Sequence, residues 1–221
     1  MRDYLKNFVG EQATFRSRKW GKLTVISETF TDAIDGDLVV MVGNPTQSQS
    51  PLVRIHSECV FAEAFDSELC DCKDQLELAL GRMQSAGAGI LFYLRLDGRG
   101  IGLAAKVKAT ALEVEGIDTF ESRRLIGEPP ECRNFRSVGD YLKGKGFERI
   151  HLMTNNPEKI ADVEAAGISV TPEPLYSNNA SIHITRLYDT KRRKFGHNIP
   201  YNSSDRQLNL DLNDEQNDNN V

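Results

Sequence analysis

From residue 89 onward the chain alternates between strand-like and helix-like hydrophobic patterns, and that alternation limits its fold more than any other feature. Residues 89–96 (GILFYLRL) form a nearly continuous apolar run, as a strand buried on both faces requires. Residues 101–115 then read as a helix with Leu103, Val107, Thr110 and Val114 on one face, expected to turn inward. Residues 134–143 do the same with Phe135, Val138 and Leu142. RIHLMT (149–154) reads as a strand, and PEKIADVEAAG as a helix with Pro157 in its first turn and Gly167 as its stop. ISVTPEPL (168–175) returns to strand, and residues 180–195 read as a basic helix. Strands interleaved with helices in this way form an α/β layer structure.

The first part of the chain adds β-rich runs at 22–30, 37–43 and 52–57, and a helix at 73–86 striped by Leu76, Ala79, Leu80 and Met83. No repeat or linker interrupts 20–197, which predicts one domain over 18–197, preceded by an N-terminal extension (1–17) and followed by a disordered acidic tail (198–221). Residues 203–221 hold four Asp, one Glu and one Arg, a net charge of −4 against −5 for the whole chain. The body is therefore nearly neutral, which argues against non-specific nucleic-acid binding. No apolar run reaches transmembrane length, and the charged, polar start is unlike a secretory signal, so the reading is cytoplasmic, with no membrane partner. The basic run 191–194 reads as a solvated helix end.

In a reducing compartment, clustered cysteines indicate metal or catalysis more often than disulfides. Cys59, Cys70 and Cys72 follow a Cys-x10-Cys-x-Cys pattern, and the fourth cysteine, Cys132, lies 60 residues further on. Three thiolates with an open fourth position are what a hydrolytic zinc site needs, because the metal then activates water near neutral pH. Two other readings stay open: inert buried thiols, and a closed structural zinc completed by Cys132 or His56.

Two further segments carry anion-binding character. Asp97-Gly98-Arg99-Gly100-Ile101-Gly102 follows the buried strand and opens a helix, a place where backbone N–H groups approach an anion closely. Arg95, Arg99, Lys106, Lys108, Arg123, Arg124, Arg133 and Arg136 surround it in sequence, a set suited to a polyphosphate. Thr154-Asn155-Asn156 ends a strand ahead of Pro157, either as a ligand-binding strand end or as a plain helix cap by one of the asparagines.

Together these motifs resemble the GTP cyclohydrolase II family of riboflavin biosynthesis. The resemblance covers roughly residues 18–197. It is carried by Arg54-x-His-Ser-Glu-Cys59, Cys70-Asp-Cys72-x-x-Gln75, Gly98-Arg99-Gly100-Ile-Gly102-Leu, Asp118-Thr119, Arg133-x-Phe, Thr154-Asn-Asn-Pro-x-Lys159 and Tyr188-Asp-Thr-Lys191. It implies a mixed-sheet α/β fold and, usually, a homodimer. It implies zinc held by Cys59, Cys70 and Cys72, and magnesium accompanying the triphosphate of GTP. The family opens the guanine imidazole ring at C8 by zinc-dependent hydrolysis and releases formate and pyrophosphate. Arg133 then matches the arginine proposed to act at the α-phosphate, with the adjacent acid Glu131 assisting. Arg54, Asp97 and Arg99 match phosphate- or substrate-binding positions, Glu58 and Gln75 the guanine side, and Thr119, Thr154 and Lys159 further GTP contacts.

This chain departs from the family pattern at several of these places. Asp97 replaces a glutamate, Leu69 an arginine, Lys73 a glycine and Glu131 an aspartate. Thr110 stands where the family usually has a catalytic tyrosine, and a threonine has neither its reach nor its phenolic proton. The departures leave room for a member that stops at the formylamino pyrimidine or takes another nucleotide or heterocycle, and for a non-catalytic nucleotide-binding regulator.

Overall fold

The structure, a computed structural model, describes residues 11–32, 36–177 and 181–201; residues 202–221 of the acidic tail and the first ten residues lie outside the described part. The described residues form seven strands: β1 (Gln12–Ser17), β2 (Gly21–Glu28), β3 (Asp37–Val42), β4 (Leu52–Ser57), β5 (Gly89–Leu94), β6 (Arg149–Met153) and β7 (Ser169–Glu173). They form one sheet in the order β1-β2-β3-β5-β4-β6-β7. The pairs from β1 to β5 are antiparallel, and β5-β4, β4-β6 and β6-β7 are parallel, so the sheet is mixed. Strand β1 falls within the stretch read as an N-terminal extension, and it is fully paired with β2.

Among the described residues seven α-helices accompany the sheet: α1 (Val60–Phe65), α2 (Cys72–Ala86), α3 (Leu103–Val114), α4 (Glu121–Leu125), α5 (Arg136–Gly144), α6 (Pro157–Glu164) and α7 (Ile182–Phe195). The period-two alternation of the central strands divides the core into two layers. Val39, Met41, Ile90, Phe92 and Leu94 pack on Val138 and Leu142 of α5 and Val163 of α6. Val40, Val42 and Leu91 face the other way, onto Ala79 and Met83 of α2. Position 89 must be glycine for α2 to sit this close, because a Cβ there would lie 2.3 Å from Met83 Cγ.

Helix α3 is oriented opposite to expectation. Leu103, Val107 and Val114 are 46%, 53% and 65% exposed, while Lys106 and Ala109 are buried. The reason lies in Lys106, whose ammonium finds anionic partners inside the protein. Thr110 sits half-buried at the boundary.

Parallel strands β4, β5 and β6 all end on one side of the sheet, and each releases a motif there. Ser57 is followed by Glu58 and Cys59, Leu94 by the turn Asp97–Gly100, and Met153 by Thr154-Asn155-Asn156.

Candidate active site at the carboxyl ends of the parallel strands

Cys59 caps the start of α1, Cys72 begins α2, and Cys70 lies two residues before it. Their three sulfurs lie within 4.8 Å of one another, and Cys59 and Cys70 are 3.6 Å apart. Among the described residues no other group of three or more His, Cys, Asp or Glu side chains converges in this way. Cys132 is exposed and its backbone N–H donates to the Arg99 carbonyl at 3.1 Å. His56 is paired through Nε2 with Glu63 at 2.9 Å, and burial keeps its pKa below the ordinary value. Neither reaches the cluster, so the closed four-ligand arrangement is not formed by these residues.

The cluster is surrounded by charges that fix it. Lys106 Nζ lies 3.2 Å from Cys59 Sγ and 2.5 Å from Asp97 Oδ1, above the ring of Phe61. Hydrogen bonding from Cys70 and Cys72 draws the Cys59 thiol down to about 3, with burial opposing and Lys106 assisting. Asp71, between the two other thiols, is buried and accepts from Gln75 Nε2 at 2.5 Å, Tyr188 Oη at 2.6 Å and Lys191 Nζ at 3.1 Å. Burial alone would raise its pKa, and Lys191 with these hydrogen bonds brings it below the usual value. Lys191 is thus not part of a solvated helix end: its side chain is only 11% exposed.

A cationic wall faces the thiols. Arg54, Arg99, Arg123, Arg133, Lys159 and Lys191 line the same cavity as the cysteines. Arg99 adopts φ +66°, a left-handed conformation uncommon outside glycine, in a turn where Gly98 and Gly100 also have positive φ. Burial lowers Arg54 and Arg99 to about 10, which leaves both charged at neutral pH. Burial, then Arg54 and Arg133, pushes the Lys159 ammonium well below the lysine range, and its Nζ donates to the Ile55 carbonyl at 2.9 Å. The cations from the flanks of the turn do not all enter: Arg95, Lys108, Arg124 and Arg136 are exposed.

Of the site residues that the family resemblance implies or replaces, all but Glu131 line this cavity: Arg54, Glu58, Cys59, Cys70, Cys72, Gln75, Asp97, Arg99, Thr110, Thr119, Arg133, Thr154 and Lys159. Glu131 stands behind Arg133, accepting from its Nε at 2.7 Å and also from its Nη2, with Arg99 at 3.4 Å. Burial would raise the Glu131 carboxyl, but these arginines outweigh it and hold it at about 2. Asp97 is spoken for internally, by Lys106, by the Gly98 N–H at 2.6 Å and by the Val60 N–H at 3.1 Å. Glu58 accepts from Arg95 at 2.8 Å, Gln75 Oε1 from Arg54 at 2.7 Å, and Thr119 Oγ1 from Arg123 at 2.7 Å. The two asparagines divide their work. Asn156 caps α6 through the Glu158 N–H at 2.9 Å, and Asn155 clamps Leu175 through both its N–H and its carbonyl.

A family model described as GTP cyclohydrolase II matches residues 9–173. The chain belongs to the GTP cyclohydrolase II family. It is 36% identical over 191 residues to the GTP cyclohydrolase-2 of Haemophilus influenzae, covering 86% of this chain and 88% of that one. It is 38% identical over 180 residues to the GTP cyclohydrolase-2 of Neisseria gonorrhoeae, covering 81% and 90%. It is also 40% identical over 171 residues to the riboflavin biosynthesis protein RibBA of Bacillus velezensis, covering 76% of this chain but only 43% of that relative's length.

Within this GTP cyclohydrolase II framework, the residues that act through others carry little signal in the sequence. In sequence Lys106 is one of eight cations around the glycine turn, and Asp71 is one position of the Cys70-Asp-Cys72 motif. Tyr188 and Lys191 belong to the closing motif of the resemblance and lie at i, i+3 on α7. Nothing local showed that this face meets Asp71. His197, beyond the end of α7, also lines the cavity and carried no sequence signal at all.

Proposed function

We propose that the chain hydrolyses GTP at C8 of the guanine ring, releasing formate and pyrophosphate and leaving the diaminopyrimidinone ribosyl phosphate used in riboflavin biosynthesis. The observation that supports this most is that a three-thiol cluster and a multi-arginine wall open into one cavity. The reaction needs two electrophilic centres, one for the base and one for the phosphates.

The thiol cluster fits zinc. A tetrahedral ion with bonds of about 2.3 Å holds its sulfurs about 3.8 Å apart, close to the 3.6 Å between Cys59 and Cys70. Bound there by Cys59, Cys70 and Cys72, zinc supplies Lewis-acid activation of water. In our reading Glu58 and Gln75 meet the polar edge of guanine, where an unmet donor costs a buried hydrogen bond. Arg54, Arg99, Thr119, Thr154 and Lys159 hold the ribose and triphosphate, which arrives with magnesium. Arg133, aligned by Glu131, acts at the α-phosphate. Asp97 serves this site through Lys106.

The exposed stripe of Leu103, Val107 and Val114 supports a homodimer joined along α3. Thiols reserved for a metal need a reducing setting, so we place the protein in the cytoplasm. Among the described residues no helix is long and apolar enough to cross a membrane.

Thr110 favours a second reading. It lines the cavity where the family usually carries a tyrosine, so the reaction can stop at the formylamino pyrimidine. One experiment separates the readings: zinc-loaded protein with GTP and magnesium, with formate, pyrophosphate and nucleotide mass measured together. Formate and pyrophosphate in equal amounts support full turnover. Pyrophosphate with a formylated product supports the second reading, and Thr110→Tyr should then raise formate. GTP binding with no product at all overturns both and leaves a nucleotide-binding regulator.

A further inference from the structure

The turn that follows α7 carries an imidazole whose situation the site described so far does not explain. His197 lines the cavity, and its Nε2 is buried with no hydrogen-bond partner among the described residues. An unmatched polar atom in a protein interior is costly and calls for a ligand or a function. The surroundings indicate which ligand. Lys191, Arg99, Lys159 and Arg133 all act on His197 electrostatically, from four separate segments of the chain. Burial first, and then these cations, hold its pKa at about 2. The ring is therefore neutral and offers one N–H without adding to the positive charge.

The turn is held firmly. Gly196 takes the left-handed cap of α7 with φ 64°, and the His197 N–H donates to the Lys191 carbonyl at 3.1 Å. On the far side the Asn198 N–H donates to the Asn155 carbonyl at 2.9 Å, and Ile199 is buried with Ile184 and Tyr188. Phe195, just before the turn, carries the Arg99 guanidinium on its face at 4.0 Å. The imidazole is thus tied to the arginine turn on one side and to the Thr154-Asn155-Asn156 strand end on the other.

We propose that His197 is a further substrate-positioning residue, whose Nε2–H donates to a phosphate oxygen of the nucleotide and so closes the polyphosphate end of the cavity with the C-terminal turn. The proposal rests on the nucleotide reading above. It adds a neutral donor to a wall of cations, and directional donors fix phosphate orientation in a way that point charges do not.

The test compares wild type, His197→Gln and His197→Ala, all zinc-loaded, titrated separately with inorganic tripolyphosphate and with guanosine. Expected is a loss of tripolyphosphate affinity of about tenfold in His197→Ala, with guanosine affinity unchanged. Much of that loss should return in His197→Gln, whose amide keeps an N–H donor. Steady-state kinetics with GTP should show a raised KM in His197→Ala. Equal tripolyphosphate binding by all three proteins overturns the proposal, as does an equal loss for guanosine and tripolyphosphate, which marks a purely structural role. The outcomes stay separable. A wild type that never turns over GTP defeats the functional reading, while the tripolyphosphate arm still decides on His197.

Discussion

Asp71 and Tyr188 lie 117 residues apart in sequence, yet the Tyr188 hydroxyl donates to the Asp71 carboxylate at 2.6 Å. The carboxylate belongs to the Cys70-Asp71-Cys72 knuckle, and the tyrosine to the last helix of the described chain. The same hydroxyl accepts from the Ser177 N–H at 2.8 Å. Lys191, one turn further along α7, adds a second bond to Asp71. Supporting contacts of this kind orient metal ligands and set how firmly they are held.

Tyr188→Phe removes a donor to a buried carboxylate, together with the hydroxyl oxygen that accepts from the Ser177 N–H. We expect a stability loss of about 1.5–3 kcal/mol, read by urea unfolding of the zinc-loaded protein. Zinc should also leave faster to a chelator. A variant indistinguishable from wild type in both measurements would show that the contact supports nothing.

Lys106 and Asp97 form a buried pair at 2.5 Å, and Lys106 also meets Cys59. Removing one partner of such a pair costs about 3–5 kcal/mol, because the other charge is stranded. Lys106→Met and Asp97→Asn should each be severe, and the double variant should cost clearly less than their sum. Additive losses in denaturant titrations would rule out the coupling.

Glu131 gives a pH signature. Its carboxyl is held at about 2 in the fold against an ordinary value of 4.5. The unfolded chain therefore binds the proton first, and the contribution is complete above about pH 4.5 and lost as pH falls towards 2. Glu131→Gln does not titrate. The stability gap between wild type and this variant should be widest at neutral pH and shrink steadily below pH 4.5. A gap that stays constant down to pH 3 would contradict the arginine lock.

Gly89→Ala places a methyl 2.3 Å from Met83 Cγ. Overpacking of this kind costs about 1–3 kcal/mol. Met83→Ala in the same chain should recover part of the loss, since it removes the opposing Cγ and Sδ and leaves only Cβ, at 2.9 Å. Thermal melts of the two variants check this, and no recovery would mean that the backbone rather than the side chain sets the clash.

The parts of this molecule written in local patterns were legible. The apolar run of β5, the stripe of α2 and the Pro157 start of α6 each state their structure within a few residues, because burial and capping are short-range demands. The three cysteines announced themselves by chemistry and spacing. What stayed hidden depends on partners far away in the chain. The face of α3 was misread because three apolar residues outvoted one lysine, and the lysine's partners, Asp97 and Cys59, lie on other elements. The role of Asp71 stayed hidden because its partners Tyr188 and Lys191 come from the far end of the chain. Strand β1 was missed because its six residues are largely exposed and alternate only weakly.

The clamp of α7 on Asp71 also sets an order of events in time. All three thiols leave the ribosome more than a hundred residues before Tyr188, Lys191 and His197. Chains emerge at about 5–20 residues per second and begin folding from the N-terminal side. For several seconds, then, each new molecule carries a complete set of sulfurs with no back wall to hold the knuckle between them. An interruption of synthesis after β7 would leave the sheet, the arginine turn and the thiols without the two contacts, from Tyr188 and Lys191, that hold Asp71 between them.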